Sequence, residues 1–265
     1  MVSSLLLLRA ALLFYSAGFI AAFVPAFLPS SGRSVLKVTP WLAGLGGLAH
    51  TGALVMLGLE LSRCPLDTIP EILSVLAWAA VIVYLVAHVR YRLEILHVII
   101  LPLVLVLLFI SGALPRDVIA VATPLRPTLL RFHISVTILG AAALCVTFAA
   151  SLVYLLVDRT LKAKKPARFF LRLPSLERCD RVNRTFLLWA FPLLTVGIVT
   201  GALYSASMSG TFWTWESRET LAILAWLILG VVTIARLGWG WRGSKAAIVT
   251  IVGFAALFMR MLGWY

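Results

Sequence analysis

Charge is scarce in this 265-residue chain, and acidic residues are the scarcest charged class. Asp, Glu, Lys and Arg together make up 12% of the residues, and Asp and Glu number only 10, whereas 62% of the residues are hydrophobic. Ordinary globular domains are roughly 45–50% apolar and about 25% charged. A soluble fold cannot bury this much apolar surface, so the composition indicates an integral membrane protein.

Cysteine and nucleic-acid-binding signals are also lacking. Cys64, Cys145 and Cys179 show neither a CxxC pair nor another metal-ligand spacing, which gives no support to a disulfide framework or a zinc site. The net charge is +13, but the basic residues stand between apolar runs rather than in a continuous basic surface. We therefore expect a lipid bilayer, and no nucleic acid, as the surroundings of this chain.

Long apolar runs fill most of the sequence. A helix needs about 20 apolar residues to cross the hydrocarbon, and helices satisfy their own backbone hydrogen bonds there. No small-residue cleavage site follows the first run, so we keep it as a span rather than a signal peptide. The pattern predicts an all-α, polytopic membrane helix bundle, one domain over 1–265, with about eight transmembrane helices. The predicted spans are 5–28, 40–61, 71–89, 95–114, 128–157, 185–206, 219–237 and 245–263.

Lys and Arg are distributed unequally between alternate loops. If eight spans alternate, sixteen of these residues lie on one side and five on the other. Because cytoplasmic loops carry the excess of positive charge, this bias predicts extracytoplasmic termini in an inner (plasma) membrane. It also makes the basic loop 158–184 cytoplasmic, where we expect it to set topology and to attract anionic lipid headgroups. A Trp-rich stretch over 209–220 falls on the extracytoplasmic side.

Four sequence blocks carry a family resemblance. They are Phe132-His133-Ile134 with its basic tail 154–162, the pair of stretches 173–180 and 194–201, the Trp-rich Phe212–Thr220 followed by Trp226, and Cys64–Glu71 followed by Leu76-Ala77-Trp78. Together, over about residues 60–258, they resemble the cytochrome c assembly (CcsA-type) membrane proteins and their shorter HemX-like and YpjD-like relatives. Phe212–Thr220 is similar to the family's "WWD" signature, with Glu216 in place of its Asp and Ser217-Arg218 in place of its Pro-Lys.

The resemblance implies a haem-handling protein. Full haem exporters of this family hold haem against the Trp-rich loop with two external histidines, fed from a site with two membrane-embedded histidines. His133 matches the first external histidine. The second would follow the last span, where this sequence has Gly263-Trp264-Tyr265, and the embedded pair falls at Tyr84 and near Ile234. Haem b is the implied ligand; apocytochrome c and other cytochrome c assembly membrane proteins are the implied partners.

The candidate haem-binding residues at the external face each have a structural alternative. His133 is a possible iron ligand or an interfacial residue bonded to a loop, and Trp213 and Trp215 either stack on a porphyrin or belong to the aromatic belt. The charged candidates are Arg131, a possible partner of a propionate, and Glu216 and Arg218, which can position a substrate. Alternatively, Glu216 and Glu219 favour the N-terminus of the seventh span through the helix dipole, a role that we expect for Glu219 and leave open for Glu216.

Three further histidines are weaker candidates for cofactor binding. His50 lies among glycines in the second span, where it either makes an interhelical hydrogen bond or binds a ligand. His88 and His97 flank a tight turn, and we hypothesise that they form a displaced inner ligand pair in place of the missing embedded histidines. The alternative for this pair is two interfacial residues at helix ends.

Taken together, the residues and the resemblance predict a cytochrome c biogenesis component that binds or presents haem at the extracytoplasmic face for attachment to apocytochrome c. The alternative is a HemX-like, non-catalytic membrane scaffold or regulator of haem biosynthesis. No residue is assigned as a catalytic acid or base. We expect at most a subunit of a haem-ligating complex rather than an independent enzyme.

Overall fold

Eight long α-helices make up almost all of the computed structural model. The structure describes residues 2–27, 32–115, 127–163 and 174–262, and within these ranges it contains no β-strand. The helices are α1 (Val2–Phe27), α2 (Gly32–Leu61), α3 (Ile69–Tyr91), α4 (His97–Ala113), α5 (Pro127–Lys162), α6 (Leu176–Ser209), α7 (Ser217–Gly238) and α8 (Ser244–Leu262). The predicted all-α membrane architecture is confirmed.

Seven helices in the described ranges are long and apolar enough to cross a bilayer. Their candidate spans are Ser3–Val24, Lys37–Leu61, Ile69–Tyr91, Glu94–Ala113, Thr128–Lys162, Leu176–Ser209 and Glu219–Gly238. Many large apolar side chains on these helices are exposed, Leu13 and Phe109 among them, as expected of surface that contacts lipid. The chain is therefore a multi-pass membrane protein.

The fifth and sixth helices extend further than hydropathy predicted. We expected spans over 128–157 and 185–206, but α5 continues to Lys162 and α6 begins already at Leu176. The extra turns contain Asp, Lys and Arg, which suit a helix in water but not one in hydrocarbon. Much of the loop predicted over 158–184 is thus helical, and residues 164–173 lie outside the described part of the chain.

The described helices form two compact units. The first contains α1–α4, and the second contains α7 and α8 with most of α5 and α6. In the first unit, α1 packs along α2 and α4, and α3 packs on α2 and α4. The prediction of a single membrane domain concerns the whole chain and stays a prediction.

The connection between α2 and α3 is fixed by one arginine and a helix cap. Arg63 donates two hydrogen bonds to the Glu71 carboxylate, at 2.8 and 2.9 Å, and Thr68 caps α3 by accepting from the Glu71 N–H. The hydrogen bonds from Arg63 to the Glu71 carboxylate raise the pKa of the Arg63 guanidinium, which therefore stays positively charged.

A buried polar network joins three helices of the second unit. Arg236 on α7 is only 4% exposed, and its Nη2 donates to Asn183 Oδ1 at 2.6 Å and lies 3.1 Å from Asp180 Oδ1 on α6. The Asn183 amide in turn donates to Ser151 Oγ on α5. A buried cation requires such partners, since desolvation without them costs several kcal/mol.

Candidate functional site

A cavity of about 370 Å³ lies inside the second unit, lined by α5, α6, α7, α8 and the segment that joins α6 to α7. Phe212 and Glu216 line it and are also exposed, so the cavity opens at the Trp-rich segment. The walls are mostly apolar and carry a few polar groups, which is the usual make-up of a small-molecule site.

Glycines on α6 make room for a histidine of α5. Gly197 and Gly201 are one turn apart and lie on the same face of α6. A Cβ built on Gly201 would lie 2.8 Å from Cε1 of His133, which is closer than real Cβ contacts come. The absence of a side chain at this position therefore allows the His133 imidazole to lie directly against the α6 backbone.

The hydrogen bonds of His133 define which of its ring nitrogens is protonated. Nδ1 lies 2.7 Å from the Gly197 carbonyl oxygen and 3.3 Å from Thr200 Oγ1. A carbonyl only accepts, so Nδ1 carries the proton and Nε2 of the neutral ring keeps its lone pair. No described residue is hydrogen-bonded to Nε2. This is the arrangement by which proteins orient metal-ligating histidines.

Two other polar atoms of the cavity wall are buried without a partner among the described residues. They are the hydroxyl oxygen of Thr137, one turn along α5 from His133, and the indole nitrogen of Trp213. A buried donor left unbonded costs about 1–3 kcal/mol. Such groups commonly indicate where a bound molecule supplies the missing bond.

The two tryptophans of the Trp-rich segment are placed differently. Trp213 lines the cavity, whereas Trp215 is 79% exposed and does not. Trp215 adopts a left-handed backbone conformation with φ of 60°, and the two rings meet edge to face at 6.3 Å. Trp226 also lines the cavity, but its indole N–H is already bonded to Thr195 Oγ1. Of these three, Trp213 is the one whose buried indole N–H has no partner among the described residues.

The charged candidate residues near the Trp-rich segment also differ in whether they line the cavity. Glu216 lines the cavity at the N-terminus of α7, and Glu219 accepts a hydrogen bond from the Thr214 backbone N–H at 2.7 Å, which ties the segment to α7. Arg131 is exposed and does not line the cavity, and the side chain of Arg218 lies outside the described residues. Arg260 of α8, which the sequence did not single out, does line it.

His50 is fully buried in the first unit and both of its ring nitrogens have partners. Nδ1 lies 3.4 Å from the Tyr15 hydroxyl and Nε2 lies 3.0 Å from Ser74 Oγ. These bonds join α1, α2 and α3, which is the interhelical alternative considered from the sequence. The geometry of His50 therefore favours a structural role, and cofactor binding by this residue stays a prediction.

His88 and His97 lie on either side of the turn that joins α3 to α4. Arg92 takes the left-handed conformation there, and a short 3₁₀ turn, Glu94–Leu96, leads into α4. His97 is fully buried with both ring nitrogens unpartnered among the described residues, as are His88 Nδ1 and the hydroxyl of Tyr84. The Tyr84 and His88 rings are 6.0 Å apart. The structure thus gathers three polar groups that lack partners.

The helices define a multi-pass membrane protein with a cavity in its second unit, and comparison with known proteins gives its family. Residues 66–264 match the model of the cytochrome C assembly protein family. The chain belongs to this family, and it is a membrane component of cytochrome c biogenesis.

Curated relatives agree along most of the chain. It is 31% identical to the cytochrome c biogenesis protein CcsA of Synechococcus sp. (strain CC9902) and 29% identical to that of Parasynechococcus marenigrum (strain WH8102), in both cases over 90% of this chain and 86% of the relative. Identity to the protein of the same name from Microcystis aeruginosa is 28%, over 92% of this chain and 91% of the relative. The resemblance found in the sequence is confirmed.

Proposed function

We propose that the second-unit cavity holds haem and presents it for attachment to apocytochrome c. The observation that carries this proposal is His133, whose Nδ1 is fixed by the Gly197 carbonyl while Nε2 keeps its lone pair beside the cavity. A neutral imidazole held in this way is a good ligand for haem iron. Haem b is the form proposed, with haem as cargo rather than a permanent cofactor.

The remaining polar groups of the cavity fit a porphyrin. Trp213 offers an aromatic surface and an unused N–H donor, and the Thr137 hydroxyl offers a further polar contact. Glu216 stands at the opening, where a partner can contact it. His133 supplies one axial ligand, so we propose that an assembly partner or the incoming cytochrome supplies the other.

The orientation in the membrane belongs to the same proposal. The excess of Lys and Arg in alternate loops favours an inner-membrane chain with extracytoplasmic termini and an extracytoplasmic Trp-rich segment, because positive loops stay in the cytoplasm. The cavity opens at that segment. Haem bound there would face the compartment in which apocytochrome c is expected, and Trp215, exposed at the rim, is available to a protein partner.

The adjacent tryptophans provide a matched test. Full-length protein purified in detergent is expected to show a Soret band at one haemin per chain. Trp213→Ala should weaken haemin binding about tenfold, because an aromatic contact and a buried donor are lost together. Trp215→Ala, the exposed control, should change affinity less than about twofold. Affinities come from absorption titrations. Absence of a Soret band with added haemin would refute the proposal.

A second, inner ligand pair formed by His88 and His97 is also proposed. It is supported by the unpartnered nitrogens of both residues, close to the unpartnered Tyr84 hydroxyl. The His88→Ala, His97→Ala double variant should lose part of the haem that co-purifies and alter the Soret spectrum while His133 is intact. A haem content and a spectrum unchanged from wild type would exclude this inner pair.

The HemX-like scaffold is the alternative function. It rests on the basic loop, whose residues 164–173 lie outside the described part of the chain. Co-purification of a soluble haem-biosynthesis enzyme, abolished by neutralising the basic residues over 159–165, would favour it. The cavity chemistry supports haem presentation, which we take as the proposal.

A further inference from the structure

Arg260, near the end of α8, brings a permanent positive charge to the cavity. It lies in the last turns of α8, is half-buried and lines the same cavity as His133. The other ionisable groups among the described lining residues are His133, Tyr204, Glu216 and Glu219, so Arg260 is the one that is positively charged at neutral pH.

The arginines suggested by the sequence do not occupy this position. Arg131 is two residues before His133, but a separation of two places side chains on different sides of a helix. Its side chain is exposed and is not part of the cavity wall. A carboxylate inside the cavity would therefore meet Arg260 rather than Arg131.

The guanidinium of Arg260 is suited to binding a carboxylate. Its five N–H donors form a planar fork that matches a carboxylate, and donors remain for a ligand when one protein acceptor is already bound. Arg260 and His133 line the same cavity. A ligand that bears both a metal and a carboxylate can therefore contact both residues.

We infer that Arg260 is a positioning residue of the cavity, which binds a carboxylate substituent of the metalloporphyrin while His133 binds its metal. This inference rests on the proposed haem function and adds to it a protein contact for the carboxylate of the ligand.

The test compares two ligands that differ only at the carboxylates, iron protoporphyrin IX and its dimethyl ester. Full-length wild type, Arg260→Gln, Arg260→Lys and Arg131→Gln are titrated with each ligand in detergent. A charge-assisted hydrogen bond contributes roughly a ten- to hundredfold factor in affinity. Wild type should therefore bind the free acid at least about tenfold more tightly than the ester. Arg260→Gln should lose that preference, while Arg260→Lys should keep part of it.

The outcomes separate the inference from the proposed function. Wild type that binds neither ligand would refute both. Wild type that binds both ligands equally, an Arg260→Gln variant that retains the preference for the free acid, or a loss of preference in Arg131→Gln would overturn the role of Arg260 and leave haem binding intact. Should Arg260→Gln fail to fold, the wild-type preference and the Arg260→Lys titration still decide the question.

Discussion

His133→Ala is expected to abolish high-affinity haemin binding and to move the Soret maximum. The variant removes the nitrogen proposed to bind the iron, and it also removes the ring that fills the space beside Gly201. Loss of an outer-shell partner of a metal ligand typically costs 10–100-fold in affinity. We expect loss of the ligand itself to cost no less than about a hundredfold, measured by absorption titration of the full chain in detergent.

Free imidazole provides an independent arm of the same experiment. The space vacated in His133→Ala is shaped to an imidazole ring and retains the Gly197 carbonyl as an acceptor. Added imidazole should therefore restore the wild-type Soret position in the variant and leave wild type unchanged. His50→Gln, which keeps hydrogen-bonding groups for Tyr15 and Ser74, is the matched control and should bind haemin normally. An unchanged spectrum in His133→Ala would refute the ligand assignment.

Arg236→Ala is expected to destabilise the second unit by about 3 kcal/mol, at the lower end of the 3–5 kcal/mol for breaking a buried pair. The change removes the cation paired with the partly buried Asp180 carboxylate and leaves the buried Asn183 carbonyl oxygen without its Arg236 donor. The lower end of this range applies because Nε and Nη1 of Arg236 are buried without partners in the part of the chain that the structure describes. Their desolvation penalty is therefore removed together with the side chain. The midpoint of thermal unfolding should fall by about 6 °C or more.

Controls for this prediction lie on the same helices. Arg178→Ala removes an exposed arginine of α6 and should leave the unfolding midpoint within about one degree. The double variant Arg236→Met, Asp180→Asn should be more stable than Arg236→Met alone, because no unpaired charge is left in the interior. Thermal unfolding of the helical circular dichroism signal, in one detergent, measures all of them. Equal midpoints for Arg236→Ala and Arg178→Ala would contradict the structural role of the network.

Hydropathy was sufficient to find the helices, because each span had to be apolar along its length to cross the bilayer. It could not find where α5 and α6 end. The last turns of α5 and the first turns of α6 are helical although they contain charged residues, such as Arg159 and Arg181. Hydropathy alone excludes such residues from a span. The polar contacts of the interior could not be predicted either, because the sequence of α7 does not show that Arg236 faces Asn183 of α6.

The site was only partly predictable for a related reason. His133 and Trp213 were identified from short motifs, and the structure places both in the wall of one cavity. Trp215, two residues away, has a positive φ and does not line the cavity. A positive φ at a tryptophan cannot be predicted from the sequence. Arg260 was missed because an arginine near the end of an apolar run signals an interface, and only the packing of α8 reveals which neighbours it faces.

The turn before α8 is held in place by carboxylates of α5 and α6. Gly243 takes a positive φ there, its N–H donates to Asp180 Oδ1, and Ser244 Oγ donates to Asp158 Oδ2. At a rise of 1.5 Å per residue, the sixteen steps from Ser244 to Arg260 span about 24 Å. A tilt of α8 by about 3° about this turn would therefore displace Arg260 by roughly 1.3 Å, about half the length of a hydrogen bond. The two carboxylates that hold the start of α8 therefore help to fix the helix direction on which the position of Arg260 depends.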